Sequence, residues 1–302
     1  MRPILDMDSI AVLLTNQCIN RCSNCTQLCG HQAKPDFLTF EQFKEAVDSM
    51  ESCPRVMFGF HGGEPLLHPE FAEFCEYAKL KLPKDRLGLW TCFPKGKENY
   101  RELIADTFGH VFLNDHTRED ILHGPVLVAS EELPIAEWYR WQLIDKCWIQ
   151  NAWSASINSN GAFFCEVAAS LSLLFNLGKG WKVDNKWWTR TPKDYVEQME
   201  TFCPLCSCAM PLKKRESIDG RDDISPKMYE RLKEIGSPKI KQGNCIVHDL
   251  TLCQDDRQIA AYKDLKYRDA IAKRYGMFLT INNKGFQTPH LIKEWKKEEV
   301  LV

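Results

Sequence analysis

The sequence predicts an α/β fold: a parallel sheet or partial barrel, then a small α+β unit, then a mostly helical extension. Two observations carry this. Short apolar runs alternate with amphipathic helical stretches through the first part of the chain, the signature of a parallel sheet. An Asn-Gly step between two further strand candidates then marks a hairpin. The expected boundaries are 1–140, 141–215 and 216–302.

Residues 9–14 read as a buried strand that runs into a cysteine-rich loop. Residues 39–50 read as a helix, with Phe40, Phe43, Val47 and Met50 on one face. Thr39 can cap it, and Gln42 stands where a capping box places the reciprocal partner. Residues 55–60 form a strand ending in His61-Gly62-Gly63-Glu64-Pro65, and 69–80 a second helix. Residues 87–92, 111–114 and 126–129 are short strand candidates, with helices at 97–106 and 135–144. The core therefore counts about five to six βα units. Residues 153–157 and 162–165 flank Asn158-Ser159-Asn160-Gly161 as a hairpin, and 166–175 is a helix. Residues 178–188, rich in Gly and Trp, read as an irregular ordered loop. Thr191-Pro192 and Ser225-Pro226 each start a helix, the second stopping at Gly236.

Composition narrows the function. The chain has 302 residues, 44% hydrophobic and 26% charged, with formal net charge −2. Such a chain has enough apolar content to fold. Its near-neutral balance argues against a nucleic-acid partner. No apolar run approaches the roughly 20 residues that span a bilayer, and the N-terminus lacks the ordered regions of a signal peptide. The outlying number is cysteine, at 14 residues. A chain of this size buries its own core and needs no disulfide scaffold, so a reduced, cytoplasmic protein with metal-ligating thiols is expected.

Two groups of cysteines stand out. Cys18, Cys22 and Cys25 have the spacing CxxxCxxC. Three thiols this close cannot all pair as disulfides, whereas they can hold three corners of an iron–sulfur cluster. A zinc site is the alternative. Farther on come Cys147, Cys165, Cys203 and Cys206, with Cys208 close behind. Cys29, four residues after Cys25, is a minor candidate for a fourth ligand of the first group. Cys53, Cys75, Cys92, Cys245 and Cys253 have no metal spacing.

CxxxCxxC after a first strand, followed by Gly62-Gly63-Glu64-Pro65 after a second, resembles the radical S-adenosylmethionine enzymes. The resemblance implies that Cys18, Cys22 and Cys25 ligate a 4Fe-4S cluster whose open iron binds the cofactor's amino and carboxylate groups. Reductive cleavage then yields a 5′-deoxyadenosyl radical that abstracts hydrogen from substrate. It further implies that Gly62, Gly63, Glu64 and Pro65 line the methionyl amino group. Asn114, Asp115 and Arg118 fall at a strand end where the family often places ribose and carboxylate contacts. His61 is close enough to that site for a polar contact. One departure is visible: the family usually has an aromatic residue before the third cysteine, and this chain has Asn24.

Cys147, Gly161, Cys165 and Cys203-x-x-Cys206 resemble the SPASM region of that superfamily, or its shorter twitch form. One auxiliary 4Fe-4S cluster on Cys147, Cys165, Cys203 and Cys206 is implied. Cys208 competes with Cys147 for the fourth place. The glycine-to-cysteine spacing is one residue shorter than usual. A shortened TIM-type barrel joined to a twitch domain is similar to the deoxyinosamine dehydrogenases of aminoglycoside biosynthesis.

The expected function is a net oxidation, such as dehydrogenation of a sugar or cyclitol, with an external electron donor of the flavodoxin or ferredoxin type. Peptide crosslinking or epimerisation is the alternative, weakened by the lack of a separate recognition domain before Cys18. A non-enzymatic iron–sulfur or zinc protein is the alternative of a different class. Trp138, Trp141, Trp148, Trp153, Trp181, Trp187 and Trp188 either pack the second unit or form a platform for a sugar or base.

Overall fold

The computed structural model describes residues 1–250 apart from 55, 117–120, 153, 154 and 211, together with two short strands beyond them. Its centre is a six-stranded sheet. β1 (Ser9–Thr15) is buried along its whole length, as a central strand should be. α1 (Phe40–Met50) follows, with the expected capping box between Thr39 and Gln42. Next come β2 (Met57–Gly62), α2 (Phe71–Lys81), β3 (Leu87–Thr91), α3 (Arg101–Thr107) and β4 (His110–Leu113). The strands of this run pair in parallel, β1 with β2, β2 with β3 and β3 with β4. This is the partial-barrel arrangement that the alternation of strands and helices predicts.

Phenylalanines lock the helices to this sheet. Phe43 of α1 stacks on Phe74 of α2 at 4.2 Å and meets Phe60 of β2 edge-on at 5.2 Å. Phe60 also meets Phe108 at 4.9 Å. Each such pair contributes about 0.5–1.5 kcal/mol beyond area burial.

The expected strand at 126–129 does not form. The Val126 and Leu127 carbonyls accept from Ser207 N and Ser225 N instead, and Ala129 N donates to Ser225 Oγ. The chain passes through β5 (Leu122–His123), α4 (Glu137–Asp145) and α5 (Trp148–Ala152). It then returns to the other side of β1. There β6 (Ala155–Asn158) pairs in parallel with β1, and β7 (Gly161–Phe163) pairs antiparallel with β6. The predicted hairpin is thus the edge of the main sheet, and one buried apolar cluster runs from Ile4 to Leu232. α6 (Glu166–Phe175) and α7 (Val196–Phe202) cover it.

The final described segment is mixed where a helical extension is expected. β8 (Arg215–Glu216) pairs with β5, and β9 (Asp222–Ile224) pairs in parallel with β10 (Cys245–Val247). Between them lie α8 (Pro226–Glu234), which starts and stops as predicted, and α9 (Pro238–Lys241). Beyond residue 250, β11 (Ile281–Asn282) pairs with β12 (Gly285–Phe286). No helix among the described residues is long and apolar enough to cross a membrane.

Carboxylates hold this segment. Arg215 pairs with Asp219 at 2.9 Å and with Asp223 at 2.6 Å. Arg221, then Arg215, holds Asp219 down at about 2. Burial raises Asp223, but His248, Arg215 and Asn24 outweigh it and leave the carboxyl below its ordinary value. Groups depressed in the folded state add stability above their unfolded values, near 4, and lose it as pH falls through the folded ones. Acid titration followed by hydrogen exchange is expected to loosen residues 215–248 between about pH 4 and pH 2, ahead of the central sheet.

Candidate functional site

β1 leaves the sheet at Thr15, and the cysteine loop follows at the carboxyl edge. Open parallel sheets bind ligands at this edge. Cys18, Cys22 and Cys25 are half-buried and close enough to act on one another. Burial, then the Cys25 thiolate, pushes Cys18 up to about 12. Burial, then Cys25 and Cys18, likewise raises Cys22. Cys25 is lowered to about 7, chiefly because the Cys29 thiol donates to it. The loop thus gathers its three predicted ligands, with Cys29 buried behind Cys25. A set of soft thiols held together suits an iron–sulfur cluster.

The loop's start is fixed from β2. Gly63 N donates to the Thr15 carbonyl and Glu64 N to the Gln17 carbonyl, both at 2.7 Å. A Cβ on Gly63 would overlap the Gln17 carbonyl, and Gly62 has φ of +123°. The two glycines therefore serve the chain's own close packing against the cysteine loop. Glu64 is 1% exposed. Its carboxylate accepts from Thr91 Oγ1 at 2.6 Å, Cys92 N at 2.8 Å, Cys92 Sγ at 2.9 Å and Leu66 N at 3.1 Å. Four internal donors occupy that carboxylate. Pro65 opens the buried 3-10 turn that follows.

Asn114 follows β4, its N donating to the Thr91 carbonyl at 2.8 Å, so it lies on the same sheet edge as Glu64. Asp115 is near enough to His116 to raise it. Arg118 lies outside the described residues. Three imidazoles also gather here. Burial, then His116, pushes His61 down to about 4, and burial, then His123, does the same to His116. His123 Nδ1 donates to the Ser23 carbonyl at 2.7 Å, inside the cysteine loop. Gln27 Nε2 donates to His61 Nδ1 at 3.4 Å. These rings are neutral at pH 7 and offer polar contacts without charge. His68 is instead a packing residue, bonded to the Leu38 carbonyl and tilted on Phe74.

The second set converges from three elements. Cys147 follows α4, Cys165 precedes α6, and Cys203, Cys206 and Cys208 follow α7. All five line one pocket with Phe164, Leu171 and Phe202. Burial, then Cys147, holds Cys165 far above its ordinary value. Burial, then Cys206, Cys147 and Cys165, does the same to Cys203. Cys206 is lowered, first by the Cys208 thiol that donates to it. The structure brings all four predicted residues together and places Cys208 among them. Among the described residues, no group of three His, Cys, Asp or Glu is spaced around a single metal ion. Trp187 and Trp188 are buried and donate to Ser49, so they pack the unit.

Glu166 joins the two sets. It is the residue after Cys165, opens α6 and is 4% exposed. Its carboxyl bonds Thr26 of the cysteine loop, and burial, with the Cys25 charge added, raises it to about 7. Ser170, one turn later, donates to Gln27 Oε1 at 3.2 Å. Sequence reading missed Glu166 because a lone Glu after a cysteine carries no spacing signal. It missed the Cys92–Glu64 contact because β3 approaches β2 only in the sheet.

No family model matches the chain, and no curated protein matches it. Among solved structures it is similar to BtrN in complex with AdoMet and 2-DOIA, with 14% identity and a TM-score of 0.43, covering 66% of this chain and 92% of that one. It is also similar to Streptococcus suis SuiB bound to S-adenosylmethionine, with 11% identity and a TM-score of 0.31, covering 83% of this chain and 53% of that one. A third is HydG, a maturase of the FeFe-hydrogenase, with 16% identity and a TM-score of 0.30, covering 80% and 56%. The chain spans about half the length of the last two.

Proposed function

We propose that the chain is a radical S-adenosylmethionine enzyme that carries out a net oxidation of a hydroxyl-bearing carbon in a sugar or cyclitol. The observation that carries this reading is the three-thiol loop, tied by backbone hydrogen bonds to the Gly62-Gly63-Glu64 turn, at the open edge of a parallel sheet. Cys18, Cys22 and Cys25 would hold the open 4Fe-4S cluster, which supplies the electron for reductive cleavage of S-adenosylmethionine. Cys147, Cys165, Cys203 and Cys206 would hold an auxiliary 4Fe-4S cluster, which supplies an electron acceptor. This assigns 1–140 to the cofactor and 141–215 to the auxiliary cluster.

The chain's own residues do the rest. In the run Gly62 to Pro65, the two glycines would present backbone carbonyls to the cofactor's amino end, since the Glu64 carboxylate and the Glu64 and Pro65 carbonyls already accept internal hydrogen bonds. Asn114 and Asp115, on the same edge, offer polar contacts to its ribose or carboxylate. Dehydrogenation of an alcohol removes one hydrogen atom, one proton and one electron. Glu166, buried between the two cysteine sets, would be the carboxyl that accepts the proton from the substrate hydroxyl. The thiols must stay reduced, which suits the cytoplasm, and a flavodoxin or ferredoxin would deliver the first electron.

The test is anaerobic reconstitution of the full chain. About eight irons per chain are expected, four for each cluster, with 5′-deoxyadenosine formed on reduction in the presence of S-adenosylmethionine. Reduced, reconstituted protein that makes none, even without substrate, sinks the reading. Cys147→Ser and Cys208→Ser separate the two auxiliary candidates: the ligand variant loses iron and the bystander variant keeps it.

A further inference from the structure

Asn24 stands where the resemblance calls for an aromatic residue, and the structure shows a different use for the position. Asn24 Nδ2 donates to Asp223 Oδ2 at 2.7 Å, and its Oδ1 accepts from Asp223 N at 2.9 Å. Asn24 N donates to Asp222 Oδ1. One residue between two of the loop's cysteines is thus paired, side chain and backbone, with β9, nearly two hundred positions away.

Lys239 makes the second fastening. It is 1% exposed, and its Nζ donates to the Cys22 carbonyl and to Asp222 Oδ1, both at 2.7 Å. His31, at the far end of the loop, donates from Nε2 to Asp222 Oδ2 at 2.6 Å, and its Nδ1 is hydrogen-bonded to Ser237 Oγ at 2.7 Å. Gly30 makes room for this arrangement, because a Cβ there would lie 2.5 Å from Lys239 Cε. Asp222 therefore collects the loop's backbone, a lysine that holds the loop's carbonyl, and the histidine that closes it.

A buried ion pair is a poor route to stability, because desolvation offsets most of its attraction. Its geometry is demanding, however, since a loop held by charge-assisted hydrogen bonds from several directions has one position. We propose that residues 215–248 are a strap that sets the conformation of the cysteine loop, with Lys239, Asp222 and Asn24 as positioning residues for the cluster. The cluster part of this proposal rests on the reading given above. The strap does for the loop what the turn at Gly63 does for its start: one holds Gln17, the other Cys22, Asn24 and His31.

The test uses the full chain in two states. In the metal-free protein under anaerobic conditions, the alkylation rates of single cysteines are read by mass spectrometry. Lys239→Met and the isosteric Asp222→Asn are expected to speed alkylation of Cys22 and Cys25 by about tenfold or more through local opening. Cys75, buried in α2, is the internal control and is expected not to change. Unchanged rates at Cys22 and Cys25 in both variants overturn the strap. So does an equal rise at Cys75 in both, which would make these residues general determinants of the fold.

In the reconstituted protein, Lys239→Met is expected to alter the electron paramagnetic resonance signal of the reduced loop cluster and its response to S-adenosylmethionine. The auxiliary signal is expected to stay as in the parent. Identical loop signals in parent and variant overturn the role in positioning the cluster. A parent chain that takes up no iron at the loop, with alkylation behaving as expected, overturns the function proposed above and leaves the strap standing.

Discussion

Cys22→Ala is expected to abolish reductive formation of 5′-deoxyadenosine, a loss of at least about 10³-fold. Three thiolates are the smallest set that holds a 4Fe-4S cluster while leaving one iron for the cofactor's amino and carboxylate groups. Two are too few. The variant is expected to retain about four of about eight irons, because the auxiliary pocket shares no ligand with the loop. Thiolates are poor ligands when protonated, and burial holds Cys18 at about 12 in the metal-free chain. Cluster binding must therefore displace protons, and loading is expected to fall as pH is lowered. Cys29→Ala is the companion measurement. Cys29 donates to Cys25 and lies behind it, so its loss is expected to leave iron content and 5′-deoxyadenosine formation near the parent. Loss of iron in Cys29→Ala would instead indicate a closed, four-thiolate cluster with no place for the cofactor.

Glu166→Gln is expected to separate cofactor cleavage from substrate oxidation. The amide keeps the shape of the carboxyl and its bond to Thr26 but cannot accept a proton from a hydroxyl. Removing a general base costs about 10²–10⁴-fold. With a cyclitol found by its stimulation of 5′-deoxyadenosine formation, oxidised product is expected to fall by that factor. Uncoupled cleavage is expected to continue. An equal fall in cleavage and oxidation would show that Glu166 only shapes the junction between the two cysteine sets.

Much of the fold was readable because its signals are local. The capping box of Thr39 and Gln42, the hairpin turn at 158–161, the start of α6 at Glu166 and the stop of α8 before Gly236 each depend on a few adjacent residues. Residues 126–129 misled for the same reason. Their apolar run suits a strand, yet a strand needs a partner, and in the fold their backbone groups bond to Ser207 and Ser225 instead. β6 likewise satisfied the hairpin signal, but only the sheet shows that it is also the neighbour of β1.

The sequence by itself determined which thiols lie close enough along the chain to share a metal centre. CxxxCxxC and CxxC are local spacings, and a short loop cannot keep such thiols apart. Tertiary structure alone decided what surrounds them: Cys29 behind Cys25, Cys92 on Glu64, Glu166 between the two sets, and Lys239 across Gly30 onto Cys22. Each of these joins residues whose meeting depends on packing, and no periodicity or spacing records it. The physical reason is that a ligand needs only its neighbours along the chain to be recognisable, whereas a charge or a proton acceptor takes its role from what is folded against it.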